Sequence, residues 1–133
     1  GKGGWQDQSS RIQAILDWYG PTDLSTDFRK DYTNPDGLNY IRQYLGDPIA
    51  PKLAADASSL QFVTAGLPPF LIEHGDQDPL VPISQSRHFY EKLKAASDDV
   101  TLQVVPGAGH GGSQFFTPEN IALVDAFFAR TLK

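Results

Sequence analysis

Two stretches of this 133-residue sequence hold the residue types that proton transfer requires. The apolar run Pro69-Phe70-Leu71-Ile72-Glu73-His74 ends in Gly75-Asp76-Gln77-Asp78-Pro79. The run Val100-Thr101-Leu102-Gln103-Val104-Val105 ends in Pro106 and then Gly107-Ala108-Gly109-His110-Gly111-Gly112. An aspartate accepting a hydrogen bond from one imidazole nitrogen fixes the tautomer, so the other nitrogen can take a proton from a nucleophile. Asp78 and His110 are the candidates for that pair. Asp76 competes for the acid role but lies nearer the strand, where it is better placed to brace the turn. The plainer alternative stays open, since an Asp in such a turn also caps backbone amides and a histidine in a glycine loop is also ordinary surface. His74 falls in the body of a strand, where a hydrogen-bonded core histidine is expected, and His88 falls on a helix surface.

Other chemistries fit less well. His74, Asp76 and Asp78 alternate as strand-borne metal ligands would, but a turn intervenes and no other histidine is forced close, so no metal is expected. Gly107, Gly109 and Gly112 match the form of a dinucleotide loop, G-x-G-x-x-G. Only one helix and no further strand follow, and that helix begins near Pro118, too late for its amides to meet a pyrophosphate. A calcium loop over 32–43, around Asn34, Asp36 and Gly37, lacks carboxylates at both ends. No cofactor is expected.

The elements that must carry the pair can be read from hydrophobic pattern. Ile12 to Trp18 is apolar at nearly every position and stops at Gly20-Pro21, as a strand buried on both faces of a parallel sheet would. Residues 69–74 and 100–105 give two further strands. Between the first and second lies an irregular polar segment, 25–64. It contains a short helix over Leu38–Leu45, with Leu38, Ile41 and Leu45 on one side and Gly46 ending it, and a weaker helical stretch over Pro51–Ala57. Ser84 to Ala96 reads as a helix with Phe89, Leu93 and Ala96 along one stripe. The last helix starts with Thr117 as N-cap, Pro118 at its first position and Phe116 and Ile121 spaced for a hydrophobic staple. Its expected buried face is Ile121, Val124, Phe127 and Phe128. Strands alternating with helices imply parallel pairing and an α/β sheet of at least three strands, whose ligand sites collect at the carboxyl ends of the strands. The loops bearing Asp78 and His110 then lie side by side.

Composition sets the outer bounds. With 40% hydrophobic and 20% charged residues, the chain is an ordinary globular one, of a size for a single domain. A net charge of −5 argues against a nucleic-acid or anionic-membrane surface. No apolar run reaches the length of a membrane span. The absence of cysteine excludes disulfides, thiolate metal sites and a Cys nucleophile, and leaves the compartment open, cytoplasmic or secreted. Gly1 is not an initiator Met, so the chain is expected to be processed or cut from something longer, and Gly1-Lys2-Gly3-Gly4 reads as a loop.

Three phrases in order, Asp17-Trp18-Tyr19-Gly20-Pro21-Thr22-Asp23-Leu24, His74-Gly75-Asp76-Gln77-Asp78-Pro79-Leu80-Val81-Pro82 and Gly107-Ala108-Gly109-His110-Gly111, resemble the carboxyl-terminal half of an α/β-hydrolase of the esterase/lipase type. The likeness is greatest to bacterial carboxylesterases related to acetyl-xylan and feruloyl esterases and to hormone-sensitive-lipase-like enzymes. It implies a three-layer α/β/α fold in which residues 11–24 form the first strand and turn, 25–64 a cap-like insertion, and 65–133 the strand-helix-strand-helix unit carrying acid and histidine. It also implies Asp78 as the acid and His110 as the base of a Ser-His-Asp triad, with Trp18 and Tyr19 lining the acyl or alcohol pocket. Core packing is the competing reading for those two aromatics.

The nucleophile of that family is a Ser in G-x-S-x-G. None of Ser9, Ser10, Ser25, Ser58, Ser59, Ser84, Ser86, Ser97 and Ser113 lies in that pattern; Ser113 follows Gly111, but Phe115 stands where the second glycine belongs. The resemblance places the chain after the nucleophile elbow and the oxyanion loop, so these 133 residues alone are expected to be inactive. A prolyl-oligopeptidase-like serine peptidase tail shares the closing motifs, and a non-catalytic assembly module is the reading from another class. The expected partners are a small ester substrate in the complete enzyme, and a missing amino-terminal half or a second copy pairing at the first strand.

Overall fold

The computed structural model describes residue 4, residues 7–96 and residues 98–132. The opening glycine-rich loop, apart from Gly4, and Ser97 lie outside the described residues. Three strands, β1 (Ile15–Trp18), β2 (Phe70–Gly75) and β3 (Val100–Val105), form one parallel sheet in the order β1-β2-β3. The central strand, β2, is buried at all six positions, which is why its sequence is a continuous apolar run broken only by Glu73, His74 and the closing glycine.

Strand parity sorts the side chains into two layers. Phe70, Ile72 and Val100 face α4 (Ser84–Ala95), where they pack with Phe89 and Leu93. The other face carries Glu73 and Trp18 toward α5 (Pro118–Thr131), which makes the architecture three-layered, α/β/α. The chain between β1 and β2 forms α1 (Thr26–Arg29), α2 (Pro35–Leu45), α3 (Pro51–Asp56) and a 3₁₀ turn at Ser59–Phe62. Leu24, Tyr32, Ile41, Leu45 and Ala54 give this insertion its own small core. Helix α2 starts one turn earlier than its apolar pattern suggests, because the Asn34 side chain accepts from the Asp36 N–H and Pro35 takes the first position. It ends at Gly46, whose φ of 90° suits glycine. The insertion is tied down by the Leu60 N–H to Thr22 O bond and by Leu24 N–H to Ser58 Oγ, both 2.9 Å.

Two expectations need correction. The first strand begins at Ile15, not Ile12, because pairing starts where Ile15 N–H reaches Pro69 O; Ile12 is 55% exposed. Its residues are half-buried rather than enclosed, as β1 is the edge of the sheet among the described residues. The last helix has the expected cap, Thr117 Oγ1 accepting from Asn120 N–H at 3.3 Å, but not the expected face. Phe127 is buried and Val124 and Phe128 are partly so, whereas Ile121 and Phe116 are exposed and close no staple.

Candidate active site

The turn after β2 and the loop after β3 are laced together before any side chain of the site is considered. Asp76 N–H reaches Val105 O at 3.3 Å, Gln77 N–H reaches Ala108 O at 2.9 Å, and the Asp76 carboxylate accepts from Gly107 N–H at 2.7 Å. Asp76 therefore joins the two loops rather than meeting the imidazole.

That lacing sets His110 against Asp78. His110 Nδ1 lies 2.8 Å from Asp78 Oδ2. The carboxylate has no exposed surface and the imidazole is 33% exposed. The other oxygen, Oδ1, accepts from Leu80 N–H at 2.8 Å and Val81 N–H at 3.0 Å, as an aspartate capping a turn does. The turn amides and the imidazole are thus met by the two different oxygens of one carboxylate. Burial alone would raise the Asp78 carboxyl; hydrogen bonds from His74, Val81 N–H, His110 and Leu80 N–H outweigh it and hold the group at about 2. Asp78 is thus a carboxylate at neutral pH, an acceptor only, which leaves the proton on His110 Nδ1 and makes Nε2 the free basic nitrogen.

His110 lines a cavity of about 640 Å³ between the site and the insertion. Leu24 and Ile41 from the insertion's own core, together with Tyr40, Tyr44, Leu80 and Val81, form much of its wall. Sequence reasoning missed this wall. Tyrosines on the otherwise polar face of α2, Tyr40 at 60% exposed and Tyr44 at 76%, are the signal that was present.

Trp18 and Tyr19 are not in that wall. Trp18 has the same parity as Glu73 and so faces α5; its Nε1–H donates to Glu73 Oε2, and its ring meets Phe115 and Phe116. Tyr19 instead packs on the imidazole itself, ring centroids 4.6 Å apart, and on Phe115 at 5.0 Å. Tyr19 holds φ at +47°, an uncommon conformation for a non-glycine residue. His74 is fully buried, with Nδ1 2.6 Å from Ser86 Oγ and Nε2 2.9 Å from Val81 O and 3.2 Å from Asp78 Oδ2. His88 is on the surface of α4, edge-on to Phe28. Among the described residues no cluster of three metal-ligating side chains occurs, and no helix is long and apolar enough to cross a membrane.

Comparison with known proteins gives this geometry a family. The BD-FAE family model matches residues 3–93. Esterase LipC of Mycobacterium tuberculosis is 47% identical over 62 residues, 46% of this chain and 15% of LipC. A truncated carbohydrate esterase from gut microbiota superposes with a TM-score of 0.77 at 27% identity, covering 96% of this chain and 45% of that one. Esterase 2 of Thermogutta terrifontis, in a form phosphoramylated by tabun, gives 0.67 at 28% identity, covering 92% and 42%. The chain thus spans less than half the length of each of these relatives. It belongs to the BD-FAE family, among the esterases of the α/β-hydrolase fold.

Proposed function

We propose that this chain supplies the acid and the histidine of a Ser-His-Asp triad in a carboxylic ester hydrolase whose nucleophilic serine lies outside these 133 residues. The observation that carries the reading is the 2.8 Å contact of His110 Nδ1 with the buried Asp78 carboxylate, at the edge of a cavity fit for an ester. His110 Nε2 takes the serine proton as its oxygen attacks the ester carbonyl, then returns that proton to the departing alkoxide. Water repeats the cycle on the acyl-enzyme, with Asp78 stabilising the imidazolium each time. The cavity under the insertion takes one side of the ester, and Tyr19 keeps the imidazole from swinging away.

Esterase relatives favour this reading over a peptidase tail. Along the open edge of β1, a groove of about 490 Å³ is lined by Phe62, Val63, Leu67, Phe70 and Phe89. A strand with one edge unpaired among the described residues, beside an apolar groove, is a docking edge, to be covered by the amino-terminal half of the hydrolase or by a second copy. A monomeric mass by light scattering at high micromolar concentration excludes the second copy.

The test is hydrolysis of 4-nitrophenyl acetate. The isolated chain should release nitrophenol no faster than buffer, and His110→Ala should change nothing. Turnover by the isolated chain that His110→Ala abolishes contradicts the assignment of the nucleophile to another segment.

A further inference from the structure

The carboxylate of Asp78 is shared by two histidines. His110 Nδ1 and His74 Nε2 approach the same oxygen, Oδ2, at 2.8 and 3.2 Å. The tautomer of His74 follows from its partners. Nε2 faces two acceptors, Val81 O and Asp78 Oδ2, and so must carry the proton; Nδ1 then accepts from the Ser86 hydroxyl at 2.6 Å. The opposite tautomer would aim a lone pair at a carbonyl and a carboxylate inside a fully buried site. An N–H donor is therefore fixed on the oxygen that serves His110, anchored from α4 through β2.

We propose that His74 is a positioning residue of the dyad, which holds Asp78 Oδ2 in place and, by drawing on its charge, tempers the proton affinity of His110. This rests on the reading of Asp78 and His110 as acid and base. An acceptor oxygen that takes two donors binds each less strongly than it would bind one alone. An imidazole facing a lone carboxylate is more basic, and a base works best with a pKa near the operating pH. His74 thus keeps the paired imidazole ready to release its proton to the leaving group. No proton moves from His74, whose Nε2–H is shared between Val81 O and Asp78. The ionisable groups around the chain of contacts are Asp17 from β1 and Tyr32 from the insertion, with Tyr19 against His110; α4 contributes the neutral Ser86.

The test needs no catalysis, because the sequence holds three histidines whose ring nitrogens can be followed by ¹⁵N NMR against pH. In the unaltered chain, the His74 Nε2 signal should step at the midpoint of His110 and the step should vanish in Asp78→Asn, since coupling between two sites is reciprocal. In His74→Leu combined with Ser86→Ala, the proton affinity of His110 should rise about threefold, and His74→Gln, which keeps an N–H donor, should return it toward the original value. Absence of the His74 step, or a His110 midpoint unmoved by the double variant, overturns the proposal. A midpoint insensitive to Asp78→Asn overturns instead the acid–base pairing on which it rests.

Discussion

Gly75 stands so close to Ala108 that a methyl group on it would sit 2.2 Å from the Ala108 carbonyl oxygen, and 2.5 Å from that of Gly109. The end of β2 and the histidine loop can meet only over a residue without a side chain. Both neighbours are backbone and cannot rotate away. Gly75→Ala should therefore cost about 1–3 kcal/mol in urea unfolding and separate the loops that carry Asp78 and His110. Loss of the wild-type His110 ring shifts in the same variant is the accompanying sign.

Removing the clasp between those loops should be milder. Asp76 is exposed, but its carboxylate takes the Gly107 N–H at 2.7 Å. Asp76→Ala should cost about 1 kcal/mol of stability, the scale of one hydrogen bond of a partly solvated charged group. Chemical denaturation reads it directly, and a variant as stable as the parent would show the bond to be idle.

Stability should respond to pH in two opposite directions. Burial raises Glu73, against hydrogen bonds from Trp18 and Asn120, and raises Asp17, against the Gly20 N–H it accepts. A carboxyl raised on folding binds its proton more tightly in the native state, so stability grows as pH falls through that raised value and the gain is complete below the ordinary carboxylate value. Asp78 has the opposite sign. Held at about 2 against an ordinary value near 4, its contribution is complete above about pH 4 and is lost as pH falls through 2. Glu73→Gln should flatten the gain below neutral pH, and Asp78→Asn should flatten the loss in acid. Thermal melts across the pH range separate the two.

Much of this arrangement was legible in the sequence, because parallel order does the long-range work. Two apolar strands closed by Gly75 and by Gly107 must place their carboxyl-end loops side by side, so the meeting of Asp78 and His110 follows from topology. What was not legible depended on faces and on width. For Trp18 the resemblance implies the pocket and core packing is the alternative; its parity with Leu16 puts it on the opposite face from Asp17, against Phe115 and Phe116. The apolar stripe of α5 was read as wholly buried, since a stripe does not announce how many strands lie beneath it. The second histidine on Asp78 was read as a core residue; it is one, but its contact runs across a turn whose shape no spacing rule supplies.

That difference of faces on α5 is measurable. Phe127 is 6% exposed and Ile121 38%. Phe127→Ala should cost about 3–5 kcal/mol, whereas Ile121→Ser should stay within about 0.5 kcal/mol of the parent. Equal costs would mean that Ile121 is covered in solution.

The most direct measurement concerns the acid–base pair in the protein that carries these residues together with a G-x-S-x-G serine. Per mole of folded protein, kcat for 4-nitrophenyl acetate should fall by about 10⁴–10⁶ in His110→Ala, the scale seen when a triad histidine is removed from a serine hydrolase. A His110→Ala enzyme that keeps the parental kcat would show that the imidazole at this position carries no proton in the reaction.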